Sequence, residues 1–172
     1  SKNLKGNENQ HQRFKHLIYR VCDSVTFLVL HMISEFSQSE FYPCDCELTI
    51  GNNADIPSLV LTTPENEKIK IKGKIDRVDI LKKDNKSYIR IIDYKTGSKT
   101  FKLSDILYGL NMQMLIYLSA VCKNGKSKYG NIVPCGVLYV PSDRPIILTD
   151  KDIDDKKLNL EISKKLKMNG II

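Results

Sequence analysis

Two short segments hold the residues best suited to chemistry, Gly73-Lys-Ile-Asp-Arg-Val-Asp79 and Ile91-Ile-Asp-Tyr-Lys-Thr-Gly97. Each reads as the end of a strand, and the polar stretch Lys82-Lys-Asp-Asn-Lys86 between them reads as a turn, so hairpin pairing would bring the two ends together. Asp93 and Lys95 lie two apart on one strand and share a face. A register that sets Asp76 opposite them gathers two carboxylates and one ammonium. Carboxylates on adjacent strands are what a hard divalent cation needs, because Mg²⁺ takes oxygen ligands, keeps several waters and completes its octahedron with substrate phosphate. Water coordinated to such an ion is acidified, and the ion offsets charge building on a scissile phosphate. Lys95 would orient or help deprotonate that water and stabilise the same charge. An Asp-x-Lys pair on a strand is common in itself, and an exposed ion pair there is worth only ~0.2–1 kcal/mol. Its context argues for more: Asp93 follows the largely apolar run Ile89 to Ile92 and precedes Gly97, where a buried strand emerges and unanswered charge is costly.

The elements that must position these residues follow from periodicity. From about Gln12 to Phe36, apolar residues recur at steps of three and four (Phe14, Leu17, Ile18, Val21, Val25, Leu28, Met32, Ile33), which predicts a long amphipathic helix ended before Pro43. Strands are expected over Cys44–Ile50, Ser58–Thr62, Lys68–Leu81 and Ser87–Tyr94, with turns at Gly51-Asn-Asn and Thr63-Pro-Glu-Asn-Glu67. Thr96-Gly-Ser-Lys closes the last of them. A helix capped by Ser104 runs to Cys122, ending at Lys123-Asn-Gly125. A strand over Val133–Val140 is stopped by Pro141, and Thr149 or Asp150 caps a charged helix reaching about Met168. The crossover helix lets the last strand run parallel to the one before it, which gives a mixed β-sheet flanked by helices, an α/β sandwich with the element order of the restriction-endonuclease-like core. On the long strand Lys70, Lys72 and Lys74 alternate with Asp76 on one face, where they would line a phosphate track or form a solvated surface.

Composition sets the bounds. At 172 residues, with 41% hydrophobic and 27% charged residues, the chain is sized for one folded domain (1–172) and not for two independent cores. The net charge of +7 favours polyanions such as nucleic acid or an anionic membrane surface, and charge alone does not choose between them. The longest uninterrupted apolar stretch, Val25 to Leu30, is far shorter than a membrane span, and the polar first ten residues hold no signal-peptide core, so a cytoplasmic protein is expected. Cys22, Cys44, Cys46, Cys122 and Cys135 form neither a disulfide framework nor a zinc ribbon, and His11, His16 and His31 show no ligand spacing. No Gly-x-x-x-x-Gly-Lys-Ser/Thr loop is present to hold a nucleotide.

Taken together, Gly-Lys-Ile-Asp-Arg-Val-Asp, Ile-Asp-Tyr-Lys-Thr-Gly and Gly109-Leu-Asn-Met-Gln113-Met-Leu-Ile-Tyr117 resemble the RecB-like branch of the PD-(D/E)XK nucleases. Phe41-Tyr-Pro43 followed by Glu47 and Gly51, with the helix before them, is similar to the nuclease domain of the AddB type within that branch. The resemblance implies a restriction-endonuclease-like core over about 44–140, with Asp76 and Asp93 as ligands to Mg²⁺ or Mn²⁺ and Lys95 as the catalytic lysine. Gln113 and Tyr117, one helical turn apart, match a Gln-x-x-x-Tyr motif that positions DNA or the active site, and Glu47 is a candidate further ligand, buttress or lysine partner. Arg77 and Asp79 read as a local ion pair supporting the strand. The implied activity is hydrolysis of DNA as an exonuclease domain, with an AddA-type helicase-nuclease subunit as partner in the full-length context. A stand-alone RecB- or Cas4-like nuclease and a non-catalytic DNA-binding module are the alternatives. The family's upstream histidine has no counterpart here, since His16 and His31 fall in a later helix. Its iron–sulfur cluster needs one upstream cysteine and a closely spaced downstream trio that none of the five cysteines matches. A piece of a larger machine is therefore expected.

Overall fold

A computed structural model of the chain describes residues 2–95, 102–142 and 154–172. Its sheet is built outwards from one hairpin. β5 (Gly73–Lys83) and β6 (Lys86–Lys95) pair antiparallel through a two-residue turn, in which Asp84 and Asn85 take φ of 51° and 57°. That is the positive-φ geometry which matches the twist of the flanking strands and which Asp and Asn tolerate well. β1 (Tyr42–Gly51) lies antiparallel on the far side of β5, and β2 (Ile56–Pro57) lies parallel to the end of β1. β7 (Ile132–Pro141) runs parallel to β6 as expected, and the short β8 (Asn169–Ile171) closes the edge, giving the order β2-β1-β5-β6-β7-β8.

Both faces of this sheet are covered. On one, α3 (Gln113–Asn124) buries Met114, Tyr117, Leu118, Ala120 and Val121 over a core that includes Leu48, Ile50, Val78, Ile80, Ile89, Ile91 and Val137. The other holds a smaller cluster of Ile92, Leu138 and Val140 with Tyr94 and Met168. It also receives the C-terminal end of α1 (Lys2–Ser37), where Phe36 meets the Arg77 guanidinium. The expected mixed sheet flanked by helices is what the chain forms.

Several boundaries differ from the sequence reading. The segment Lys68–Leu81 is not one strand: β4 (Lys68–Ile71) pairs with β3 (Leu59–Thr62) in a separate two-stranded sheet, and β5 begins at Gly73. The helix expected over 104–122 is two pieces, α2 (Leu103–Leu107) and α3, divided where Gly109 and Asn111 adopt φ of 73° and 55°. Lys102, not Ser104, stands at the N-cap of α2. A short α4 (Lys126–Tyr129) follows Gly125. The last helix, α5 (Asp155–Leu166), has Asp154 at its N-cap position with no capping bond from the side chain; the proposed caps Thr149 and Asp150 and the turn at Thr96 lie outside the described residues.

α1 begins ten residues earlier than its apolar pattern and exposes Leu17, Val21, Val25, Val29 and Leu30. The segment His11–Ser37 contains a window of mean hydropathy 1.4, none of it buried, so by length and composition alone this helix could cross a bilayer. That revises the expectation drawn from Val25–Leu30, which considered only an unbroken apolar run. Asp23 and His31 bound that run, but the apolar residues on either side of them keep the hydropathy of the helix high.

Candidate active site

The hairpin register delivers the expected juxtaposition. Arg77 pairs with Ile92, so the next position sets Asp76 beside Asp93 at the open end of the hairpin. The Asp76 carboxylate reaches across, and its Oδ2 accepts the backbone N–H of Tyr94 at 2.9 Å. Asp93 Oδ2 faces Lys95 Nζ in an ion pair, and the two side chains keep only 15% and 29% of their exposure. Beyond that ion pair, this buried oxygen accepts no hydrogen bond.

The parallel neighbour β7 supplies a wall that sequence reasoning missed, because the β6–β7 register cannot be read from either strand alone. Tyr139 stands next to Asp93 in that register, with Lys95 Nζ 5.7 Å from its ring centre. Burial first, and then the Asp93 charge, hold the Tyr139 hydroxyl above its ordinary range, with Lys95 opposing them. Tyr139 therefore stays a neutral wall beside the charged pair.

A paired Asp76 and Asp93, partly withdrawn from water, fits a hard divalent cation that takes one or two protein carboxylates and fills its remaining positions with water and phosphate oxygen. The candidate third ligand is not brought to them. Glu47 lies opposite Asp76 on β1, between the pairs Cys46–Arg77 and Leu48–Ile75, but its φ is 58° and its side chain, 62% exposed, forms an ion pair with Lys74. Among the described residues no three His, Cys, Asp or Glu side chains converge, and the five cysteines are free thiols.

Gln113 and Tyr117 are brought together as the motif requires. Gln113 Nε2 donates to the Tyr117 hydroxyl at 3.0 Å, and Tyr117, 9% exposed, lies flat on β5 where a Cβ at Gly73 would overlap its hydroxyl and ring. Gly73 is thus the seat of α3, three residues before Asp76 on the same strand. Tyr117 serves the core as well as the motif.

The lysine track is rearranged. Lys70 stands on β4 opposite Val60 and Lys72 falls between strands, so neither shares a strand with Asp76, whereas Lys74 stays two residues from it on β5 and is paired with Glu47. The break at Lys72, which moves β4 into the second sheet, is the cause.

Arg77 and Asp79 pair as expected, but inside the protein, at 2% and 0% exposure, with Nε–Oδ1 at 2.8 Å. Arg90 Nε shares the same carboxylate at 3.0 Å, and the Tyr94 hydroxyl accepts from Arg77 Nη1 at 2.5 Å.

A six-stranded mixed sheet with two carboxylates and a lysine at the end of its central hairpin defines a nuclease fold, and the chain belongs to the PD-(D/E)XK nuclease superfamily, whose family model matches residues 4–166. Its relatives narrow the branch. Over 160 residues the chain is 39% identical to the B subunit of the ATP-dependent helicase/deoxyribonuclease of Caldanaerobacter subterraneus subsp. tengcongensis, covering 93% of this chain and 14% of that protein. Proteins of the same name from Clostridioides difficile and Clostridium kluyveri are 35% and 37% identical over 95% of this chain. The chain spans about 14% of the length of these relatives.

Proposed function

We propose that this chain is a metal-dependent deoxyribonuclease domain that hydrolyses DNA phosphodiesters, working as the exonuclease of a bacterial helicase-nuclease in double-strand break processing. The observation that carries the reading is Asp76 reaching across the hairpin to Tyr94 N–H, which sets it beside the Asp93–Lys95 pair. Asp76 and Asp93 would hold Mg²⁺ or Mn²⁺, and the ion, when bound, supplies an acidified water and offsets charge on the scissile phosphate.

The chain's own residues do the rest. Lys95, held on Asp93 and flanked by Tyr139, exchanges its carboxylate partner for a phosphate oxygen or the attacking water as substrate enters. Gln113 and Tyr117 hold α3 against β5 and so fix the wall beside Asp76. Exposed Lys70 and Lys72 and the net charge of +7 attract the DNA backbone without reading its sequence. An AddA-type chain would be the partner in the full-length assembly, because the relatives are B subunits and so call for a companion, and a cytoplasmic location fits that role. No iron–sulfur cluster is assigned to these residues.

The test is incubation of end-labelled linear and closed circular DNA with the domain and Mn²⁺, beside Asp93→Ala. Loss of label from linear DNA only, absent in the variant, is expected. Equal cleavage by both proteins would remove the site, and DNA binding without cleavage would leave a non-catalytic binding module.

A further inference from the structure

Tyr94 lies between Asp93 and Lys95 in sequence and points to the opposite face of the sheet, where a polar assembly is buried behind the site. Its backbone N–H is held by Asp76 Oδ2 at 2.9 Å. Its hydroxyl accepts from Arg77 Nη1 at 2.5 Å and is directed at Met32 Sδ, 3.7 Å away on α1. One residue is therefore gripped from the front by a carboxylate of the site and from the back by a guanidinium.

That guanidinium has no freedom to move. Its Nε and Nη2 donate to the two oxygens of Asp79 at 2.8 and 3.1 Å, and its plane is flanked by the rings of Phe36 at 5.1 Å and Tyr94 at 5.5 Å. Asp79 is itself fixed from β6 by Arg90 Nε at 3.0 Å, and the Arg90 guanidinium lies 4.5 Å from the centre of the Phe41 ring. Two guanidiniums share one fully buried carboxylate, an arrangement with a desolvation cost that apolar residues of similar volume would avoid. What it provides instead is direction, since a satisfied buried network holds its members in one geometry. The Tyr94 hydroxyl completes the network, accepting from Arg77 and donating towards the Met32 sulfur.

Tyr94 and Lys95 are the last residues of β6, where a strand end would otherwise fray. We infer that Arg77 and Tyr94 are positioning residues for the site: Arg77 anchors Tyr94 from the rear face, and Tyr94 fixes the backbone that carries Asp93 and Lys95 and docks Asp76. The inference rests on the reading of Asp76, Asp93 and Lys95 as a metal-and-lysine site. Neither residue touches substrate. Both act by holding the groups that do, and outer contacts of this kind are typically worth about 10–100-fold in metal affinity or activity.

The experiment compares the unaltered chain with Tyr94→Phe, Arg77→Lys and, as a control for loss of a hydroxyl elsewhere on β6, Tyr88→Phe. Circular dichroism and melting report folding, Mn²⁺ titration reports the metal site, and linear DNA cleavage gives kcat and KM. Tyr94→Phe is expected to stay folded, to lose about 10–100-fold in kcat with KM for DNA unchanged and to bind Mn²⁺ more weakly. Arg77→Lys keeps the cation without the planar fork and should fall between the two, and Tyr88→Phe should match the unaltered chain. Folded Tyr94→Phe with full kcat and Mn²⁺ affinity would overturn the inference, and so would loss of folding in both Tyr94→Phe and Arg77→Lys, which would assign the network to stability alone. If the unaltered chain itself neither binds Mn²⁺ nor cleaves, the proposed function fails instead, a result these variants do not mimic.

Discussion

Gly73→Ala offers the sharpest structural test, because it joins two motifs distant in sequence. A Cβ at position 73 would overlap the Tyr117 hydroxyl, Cζ and Cε1, all belonging to a ring that is 9% exposed. The ring cannot retreat without leaving the core or releasing the Gln113 amide at 3.0 Å. Overpacking of this kind costs about 1–3 kcal/mol, and weakening the amide–hydroxyl bond adds about 0.5–1.5 kcal/mol. Alanine's smaller unfolded-state entropy returns about 0.4–1 kcal/mol, leaving a net loss of about 2 kcal/mol. Urea denaturation of Gly73→Ala, Tyr117→Leu and the double variant measures it. With the ring gone only the entropy return is left, so Gly73→Ala should stabilise by about 0.4–1 kcal/mol and the coupling energy should be about 3 kcal/mol. Costs that add within about 0.5 kcal/mol would refute the contact and the seating of α3 on β5.

Other outcomes follow from the same geometry. Asp79→Ala leaves Arg77 and Arg90 without their shared carboxylate and should cost about 3–5 kcal/mol or prevent folding, as a melting curve would show. Leu17→Ser, on the exposed part of α1, should change stability by less than about 0.5 kcal/mol, whereas Phe36→Ala, which uncovers the Arg77 guanidinium, should cost distinctly more. Tyr94, Tyr129 and Tyr139 all have hydroxyls held above the ordinary range, by burial first in each case. Folding raises these pKa values, so their contribution is intact below the unfolded value of about 10 and is lost as pH rises beyond it. Difference titration of the unaltered chain against Tyr94→Phe, Tyr129→Phe and Tyr139→Phe should show that the phenol removed in each case ionises above the ordinary range; a removed phenol that ionises near pH 10 in folded protein would contradict this.

The legible parts of the sequence were those fixed by local chemistry. Asp84-Asn85 between two alternating strands announces its tight turn, and that turn sets the register which lays Asp76 beside Asp93. The parallel strand through Val137 follows from a crossover too long to be a hairpin. Where the reading failed, non-local pairing decided. In Lys68–Leu81 only Gly73 marks the change of sheet, and its pairing is decided elsewhere, since Val60 and Ile71 find their partners across the chain. Gly109 and Asn111 did carry a signal for the helix break, outweighed by the apolar period on either side. Arg77 and Asp79 were visible as neighbours, but Arg90, Tyr94, Phe36 and Met32 join them only through the fold. For the same reason Glu47, a plausible ligand by position, turns out to face Lys74.

The central claim is that two carboxylates hold the metal and the lysine beside them does not. Calorimetric titration of Mn²⁺ into the unaltered chain, Asp76→Ala, Asp93→Ala and Lys95→Ala, each checked for folding and DNA cleavage, tests it directly. The unaltered chain should bind Mn²⁺ and cleave, the two aspartate variants should do neither, and Lys95→Ala should bind Mn²⁺ yet fail to cleave. Undiminished Mn²⁺ binding by folded Asp76→Ala and Asp93→Ala would contradict the account.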